Sequence, residues 1–295
     1  MKRALRFIEG LLAYITRRTL PVHIRRRLRY QVQRWQGLSE LQIITAGWER
    51  YARLWKSDAR TFDAEVAPAD RIRYLGDEWT TEMGVVPGEQ DYFDLPLEAV
   101  HNFESYIESN LLEPYLPPVA PKGLEIGPGG GRLTALLLPR TKELHVAEPS
   151  GTMLKHLRQR FAETSSLRLH HTDGTALPAL GLASLDYVFA FDVFVHFEPR
   201  LIYRYLQQIE ELLKPGGTGL IHYANVCTPL GWRRFISDLK DNLHGRKEYG
   251  AFGVMCPQLM VQFLEALHLE VVSDDIGVIP RDAIAVFRKP IVGRG

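Results

Sequence analysis

Three acids and a bend almost bare of side chains carry the chemistry legible in this 295-residue chain. Glu125 lies in the apolar run Leu124-Glu125-Ile126, which opens into Gly127-Pro128-Gly129-Gly130-Gly131-Arg132. Glu148 ends a second apolar run and Asp173 follows a third. Glycines at 127, 129 and 131 allow a tight turn and leave no side chain between the backbone and a bound molecule. A merely glycine-rich turn is the structural alternative. The spacing selects among ligands. A dinucleotide fingerprint, G-x-G-x-x-G, places its third glycine at 132, where Arg132 stands, and no Lys-Ser/Thr pair follows as a phosphate-binding P-loop requires. An acid about 20 residues past the first glycine, at the next strand's tip, is suited to accept hydrogen bonds from both hydroxyls of a ribose, and Glu148 fits. Its structural alternative is a strand-end acid capping the helix that begins near Ser150. Further on, His196 has an ordinary pKa of ~6.5 that suits proton removal near neutrality. Asp192, just before it, is placed to orient a histidine or touch an acceptor. A histidine packed at a helix start is the alternative for His196. His222, a second candidate base, reads rather as a satisfied core histidine. The histidines and acids show no metal-ligand spacing, so no metal is expected.

The elements that must position these residues alternate strand and helix. The first strand is followed by a helix over about 132–139, a strand over Glu143–Glu148 and a third strand, Leu167–His171. A fourth strand, Leu185–Asp192, is nearly all apolar, as burial on both faces requires. Pro199 then stands where a first helical residue tolerates it. Leu201, Ile202, Tyr205, Leu206, Ile209, Leu212 and Leu213 follow at helical spacing. Lys214-Pro215-Gly216-Gly217 stops that helix and a fifth strand, Thr218–Val226, starts at once. A helix over 257–267, a strand near Leu269–Ser273 and a final strand at Asp282–Arg288 complete the series.

The E-x-G-x-G-x-G run and the Leu212-Leu213-Lys214-Pro215-Gly216-Gly217 turn resemble those of class I S-adenosylmethionine-dependent methyltransferases, and the resemblance covers about 100–290. It implies an α/β, Rossmann-like seven-stranded sheet whose last two strands form an antiparallel hairpin at the edge, preceded by an N-terminal helical cap. It implies S-adenosylmethionine as cofactor, and an acid at the third strand's end, here Asp173, that hydrogen-bonds the adenine amino group. An Asp-Gly turn is the alternative for Asp173. The cofactor set carried over is Glu125, Gly127, Pro128, Gly129, Gly131, Glu148, Pro149, Asp173, Gly174 and Phe191, with His196 and Asp192 as catalytic candidates. Tyr74-Leu75-Gly76-Asp77-Glu78-Trp79 is loosely similar to a segment of bacterial methyltransferases acting on saccharides and glycolipids. The expected activity is O-methylation of a saccharide, glycolipid or other small metabolite. A quinone precursor or secondary metabolite as acceptor, and a non-catalytic cofactor-binding scaffold, stay open, because one fold hosts many functions.

Three segments are expected: a basic arm (1–40), a helical cap (41–116) and the cofactor domain (117–290) with a lid insertion at about 227–256. Pro117, Pro118 and Pro121 mark the boundary into the first strand. The insertion's helix, over about 230–243, carries Trp232, Phe235, Ile236 and Leu239 at helical spacing. Trp48, Tyr51, Trp55, Tyr74, Trp79, Tyr92 and Phe93 make the cap rich in aromatics, for its own core or for stacking on adenine, a sugar face or an apolar acceptor. With 45% hydrophobic and 24% charged residues the chain is an ordinary globular one. Its two cysteines, Cys227 and Cys256, exclude a disulfide framework and read as buried small apolar residues in a reducing cytosol.

Charge is uneven. Residues 1–40 hold ten Lys or Arg against two acids, a net +8, so the other 255 carry −7 against a chain total of +1. Ala4, Leu5, Phe7, Ile8, Leu11, Leu12, Tyr14 and Ile15 fill one half of a helical wheel, opposite Arg3, Arg6, Glu9 and Arg17. Such a helix suits an anionic membrane surface, each cation near it contributing about 1 kcal/mol. It also suits packing on its own domain. Its apolar run is far short of the ~20 residues a span needs, and it lacks a signal-peptide cleavage site. The chain reads as cytoplasmic, with peripheral contact at the inner membrane face. No nucleic-acid-binding module accompanies the arginines at 25–29, and oligomeric state is not legible. Deleting residues 1–36 is expected to abolish co-sedimentation with anionic vesicles while leaving cofactor binding intact. Full-length protein that never sediments with them would remove the membrane reading.

Overall fold

The computed structural model describes residues 22–39, 42–49, 52, 103–243 and 252–291. The arm before residue 22 and most of the aromatic cap, including Tyr51, Trp55 and residues 74–79, 92 and 93, lie outside the described residues.

Seven strands form one sheet: β1 (Ala120–Ile126), β2 (Thr141–Glu148), β3 (Leu167–His171), β4 (Leu185–Ala190), β5 (Leu213–Ala224), β6 (Glu270–Ser273) and β7 (Asp282–Arg288). Their order is 3-2-1-4-5-7-6. β1 to β5 pair in parallel, whereas β7 runs antiparallel to both β5 and β6. The sheet is Rossmann-like, as the strand pattern predicts. The chain winds outward from β1 in one direction through β2 and β3, then crosses to β4. Loops leaving β1 and β4 therefore diverge and open a crevice beyond their carboxyl ends.

Helices cover both faces. In chain order they are α1 (Val22–Trp35), α2 (residues 42–49), α3 (Phe103–Ile107, continuing through a π-turn at Glu108–Leu112 into Glu113–Tyr115) and α4 (Thr134–Leu137). Then come α5 (Gly151–Arg160), α6 (Pro199–Leu212), α7 (Pro229–Leu243) and α8 (Pro257–Ala266). Strand β4 shows the layering. Successive side chains point to opposite faces, so Tyr187 and Phe189 join Leu111, Leu137 and Leu157 under α3, α4 and α5. Val188 and Ala190 join Ile202, Leu206, Met260 and Leu264 under α6 and α8. Two apolar layers thus sandwich a strand with no polar face.

Three local features differ from the sequence reading. β4 ends at Ala190, so Phe191 and Asp192 lie in the loop beyond it. Strand pairing jumps from Leu185↔Leu213 to Tyr187↔Thr218, which places Lys214–Gly217 in β5 as an out-looped bulge. Gly216 there has φ +81°, a left-handed conformation suited to glycine. The cysteines are not buried: Cys227 is exposed and Cys256 half-buried. Both flank the insertion, and Val226 N donates to Met255 O at 3.0 Å, so its two necks are joined. Within it, Phe235 packs on Val195, Ala224 and Phe252, while Trp232, Ile236 and Leu239 stay exposed. Among the described residues no helix is long and apolar enough to cross a membrane.

β5 and β7 approach so closely that a Cβ on Gly219 would overlap the Phe287 ring. Gly219→Ala is therefore expected to destabilise the fold by about 1–3 kcal/mol, the usual cost of overpacking, read from the urea midpoint. An unchanged midpoint would show that the Phe287 ring yields freely.

Candidate functional site

A cavity lies at the switch point between β1 and β4. The glycine bend forms its floor, the tips of β1, β2 and β4 its walls, and α2 closes one side with Ile44, Thr45 and Trp48. Of the residues singled out from sequence, Glu125, Gly127, Pro128, Gly129, Glu148, Pro149, Gly174, Phe191, Asp192 and His196 all line it. Gly131 and Asp173 do not. Asp173 is turned into its own bend, where its Oδ1 accepts from Thr175 N at 2.8 Å, Thr175 Oγ1 at 2.8 Å and Ala176 N at 3.1 Å. These donors hold its carboxyl below the ordinary aspartate value. Thr172 and Gly174 supply the wall on that side.

The three glycines of the bend all have positive φ, yet for different reasons. A Cβ at Gly127 would strike Val193, and one at Gly131 would strike Leu157 and Phe161, so both positions serve close packing. At Gly129 a Cβ would meet nothing within 4 Å. Its bare backbone faces the cavity, so Gly129 alone of the three fits the role of leaving room for a ligand.

Carboxylates dominate the polar lining. Glu125 is buried, and its Oε2 accepts from Thr134 Oγ1 at 2.6 Å. Burial pushes its carboxyl up to about 7, against the opposing effects of that hydrogen bond and of Arg160. Glu148 is buried as well, with Oε1 accepting from Ser150 N at 2.7 Å. Burial again pushes it up, to about 8, and the charges of Glu49 and Glu125 add to the effect. Asp192 is raised to about 6, chiefly by burial, with His222 and Arg281 pulling the other way. Its Oδ1 is buried with no hydrogen-bond partner among the described residues.

The sequence reading missed Glu49. From α2 this carboxylate accepts from Ser150 Oγ at 2.6 Å, Thr152 Oγ1 at 2.6 Å and Thr152 N at 3.3 Å. Ser150 also accepts from Met153 N, so one hydroxyl caps α5 and receives the latch. An anion suits this spot because the first turn of a helix presents unsatisfied N–H groups and a positive dipole end. Latched there, α2 sets Trp48 against His196, ring centroids 5.2 Å apart. Trp48 stood in the sequence among many aromatics. Glu49 had no local signal, since its partners lie about 100 residues downstream. His222 is the satisfied core histidine expected: Asp192 N donates to its Nδ1 at 3.0 Å, its Nε2 lies 3.2 Å from Asp282 Oδ2, and Phe191 stacks on it. No group of three or more metal-ligating side chains is assembled among the described residues.

The raised carboxyls have a definite consequence for stability. From pH about 4.5 to about 7 for Glu125, and to about 8 for Glu148, the unfolded chain releases protons that the folded protein retains, so stability falls as pH rises through those windows. The slope is about 1.4 kcal/mol per pH unit for each group. Glu148→Gln, which cannot ionise, is expected to gain stability relative to the parent protein from pH 5 to pH 8 in parallel denaturant titrations. A constant difference across that range would show Glu148 ionised throughout.

Residues 124–218 match the family model described as a methyltransferase domain. None of the curated proteins matches the chain in sequence. Among solved structures, the (4+2)-cyclase SpnF is 12% identical with a TM-score of 0.51, the match covering 66% of this chain and 83% of SpnF. The PH0226 protein of Pyrococcus horikoshii OT3 is 19% identical with a TM-score of 0.50, over 63% and 91% of the two chains. The N-methyltransferase NodS of Bradyrhizobium japonicum WM9, solved with S-adenosyl-L-homocysteine, is 21% identical with a TM-score of 0.46, over 69% and 92%. At these identities the likeness is one of fold. Residues 124–218 thus read as a methyltransferase domain, set in a Rossmann-like sheet with the glycine bend at its switch point.

Proposed function

We propose that the cavity at the β1/β4 switch point is the active site, and that the enzyme methylates a hydroxyl of a saccharide, glycolipid or other small metabolite. The observation that carries the reading is the polar set: three carboxyls, Glu125, Glu148 and Asp192, around the bare Gly129 backbone, with Arg132 the one arginine in the lining among the described residues. A pyrophosphate would meet carboxyls rather than a cluster of cations there. A cationic sulfonium nucleoside with two ribose hydroxyls meets acceptors, and the residues fit it. When bound, the cofactor supplies a methyl group activated by its own positive sulfur.

The chain's part is positioning and proton handling. Glu148 would accept the ribose hydroxyls, and it sheds its proton more readily once a cation lies nearby. Gly127, Pro128 and Gly129 would shape the floor, with Glu125 behind it. Pro149, Gly174 and Phe191 would bound the nucleoside. On the acceptor side, Trp48, Phe197 and Tyr205 give the cavity aromatic walls that suit a sugar face or an apolar ring. His196 and Asp192 both line this part, and either can take the acceptor's proton, an assistance that typically contributes ~10²–10⁴-fold. The saccharide assignment rests on these walls and on the resemblance at residues 74–79. The contact of the basic arm with an anionic membrane surface, where a glycolipid acceptor would be met, belongs to the same proposal.

Glu148→Ala is expected to weaken S-adenosylmethionine binding by about 1–3 kcal/mol through loss of charge-assisted hydrogen bonds, measured by calorimetry. Unchanged affinity would remove Glu148 from the ribose contact. Transfer of a labelled methyl group into a host extract separates the acceptors: label in the glycolipid or saccharide fraction supports the reading, and label confined to other small metabolites redirects it. No labelled product in any fraction would leave a cofactor-binding scaffold.

A further inference from the structure

Asp192 has φ +60°. A side chain in the left-handed region costs roughly 1–2 kcal/mol and persists only where its surroundings over-determine it. Here they do. β4 and β5 are paired as far as Ala190↔Ile221. Two residues past that pair, Asp192 N donates to Nδ1 of His222, the next residue of β5, at 3.0 Å. Because Nδ1 accepts, the ring proton sits on Nε2, which donates to Asp282 Oδ2 at 3.2 Å. Asp282 opens β7 and is fully buried, as is His222. Arg281 grips both carboxylate oxygens, Nε at 3.1 Å from each and Nη2 at 2.7 Å from Oδ2. Burial opposes ionisation of Asp282, but Arg281 and the His222 hydrogen bond outweigh it and hold the carboxyl down to about 2. The ring of His222 is further fixed by Phe191 stacked at 4.3 Å.

The far end of this chain is anchored in the insertion. Thr228 Oγ1 donates to Arg281 O at 3.0 Å, a Cβ on Gly231 would press on that same carbonyl, and the Arg281 guanidinium lies 5.6 Å from the centre of the Phe252 ring. A histidine held between an anchored ion pair and a strained backbone has one function that core packing does not need. It fixes the direction of the next side chain. The Asp192 carboxyl lines the cavity, and its Oδ1 has no hydrogen-bond partner among the described residues. A buried acceptor without a partner is costly, about 1–3 kcal/mol, unless a ligand donor satisfies it.

We propose that Arg281, Asp282 and His222 are positioning residues that hold Asp192 so that its Oδ1 receives the hydrogen bond, and then the proton, of the acceptor's hydroxyl. The inference rests on the methyltransferase reading above and assigns the proton to Asp192 rather than to His196. His196, pressed against Trp48, is then part of the acceptor wall.

The test uses the full chain. Nitrogen-15 spectra are expected to show His222 accepting at Nδ1 and carrying a proton on Nε2, and carbon-13 spectra to show Asp192 titrating well above an ordinary aspartate. The charged and titratable groups acting on Asp192 are His222, Arg281, Asp282 and, from the glycine bend, Arg132. His222→Phe keeps the stack on Phe191 but offers Asp192 N no acceptor and removes the downward pull of His222 on the carboxyl, so the Asp192 titration should rise. His222→Asn restores an acceptor near the Nδ1 position. Labelled methyl transfer should fall at least tenfold in His222→Phe and stay within about threefold in His222→Asn. Cofactor affinity should change less than twofold in both. If His222→Phe fails to fold, Asp282→Asn serves, and should give mixed His222 tautomers with the same loss of transfer. An Asp192 titration and transfer rate indifferent to these changes would overturn the proposal while leaving the methyltransferase reading intact. A parent protein that binds no S-adenosylmethionine would overturn that reading instead, and the spectra would still decide whether the relay orients Asp192.

Discussion

Desolvated carboxyls at the mouth of a parallel sheet are the constraint around which this molecule is organised. A carboxylate removed from water is unfavourable by several kcal/mol unless protons, donors or a cation offset the loss. Glu125 and Glu148 meet that demand in part, through Thr134 Oγ1 and Ser150 N, and in part by holding on to their protons. The fold thus keeps a set of acceptors poised against its own stability. A cationic, hydroxyl-bearing ligand would relieve them, whereas a water-filled or apolar site has no use for them.

The same economy appears on the two sides of the cavity. On the β2 side, Glu49 reaches from α2 to the first turn of α5, where the helix's unsatisfied N–H groups favour an anion. On the β4 side, an Arg-Asp-His chain whose aspartate and histidine are buried grips the backbone of Asp192. One device brings a wall of the cavity into place, and the other aims a single side chain at it. Both attach remote sequence to strand ends: residue 49 to residues 150 and 152, and residues 281 and 282 to residue 192 through His222.

The glycine bend shows how one motif divides its labour. Three glycines at alternate positions share left-handed backbone geometry, but Gly127 and Gly131 are there to let Val193, Leu157 and Phe161 come close, and Gly129 to leave the floor open. Substrate chemistry is fixed by fewer contacts than fold. A solved structure that shares this fold is a cyclase, in keeping with the rule that function lives in the site and not in the scaffold.

Strand order, helix alternation and the bend were legible in the chain because each depends on short-range pattern. Apolar runs of strand length, Pro199 at a helix start and glycines at 127, 129 and 131 are all written within a few residues of the elements they make. Glu125 and Glu148 were legible for the same reason, as acids at strand tips beside the bend. What the tertiary structure alone decided lies in long-range geometry. Glu49 finds its donors about 100 residues away, and the Asp173 carboxyl turns into its own bend where three local donors outbid the cavity. Asp192 owes its conformation to a histidine on the neighbouring strand. A sequence records which residues can donate, accept or turn; only closure of the sheet decides which of them meet.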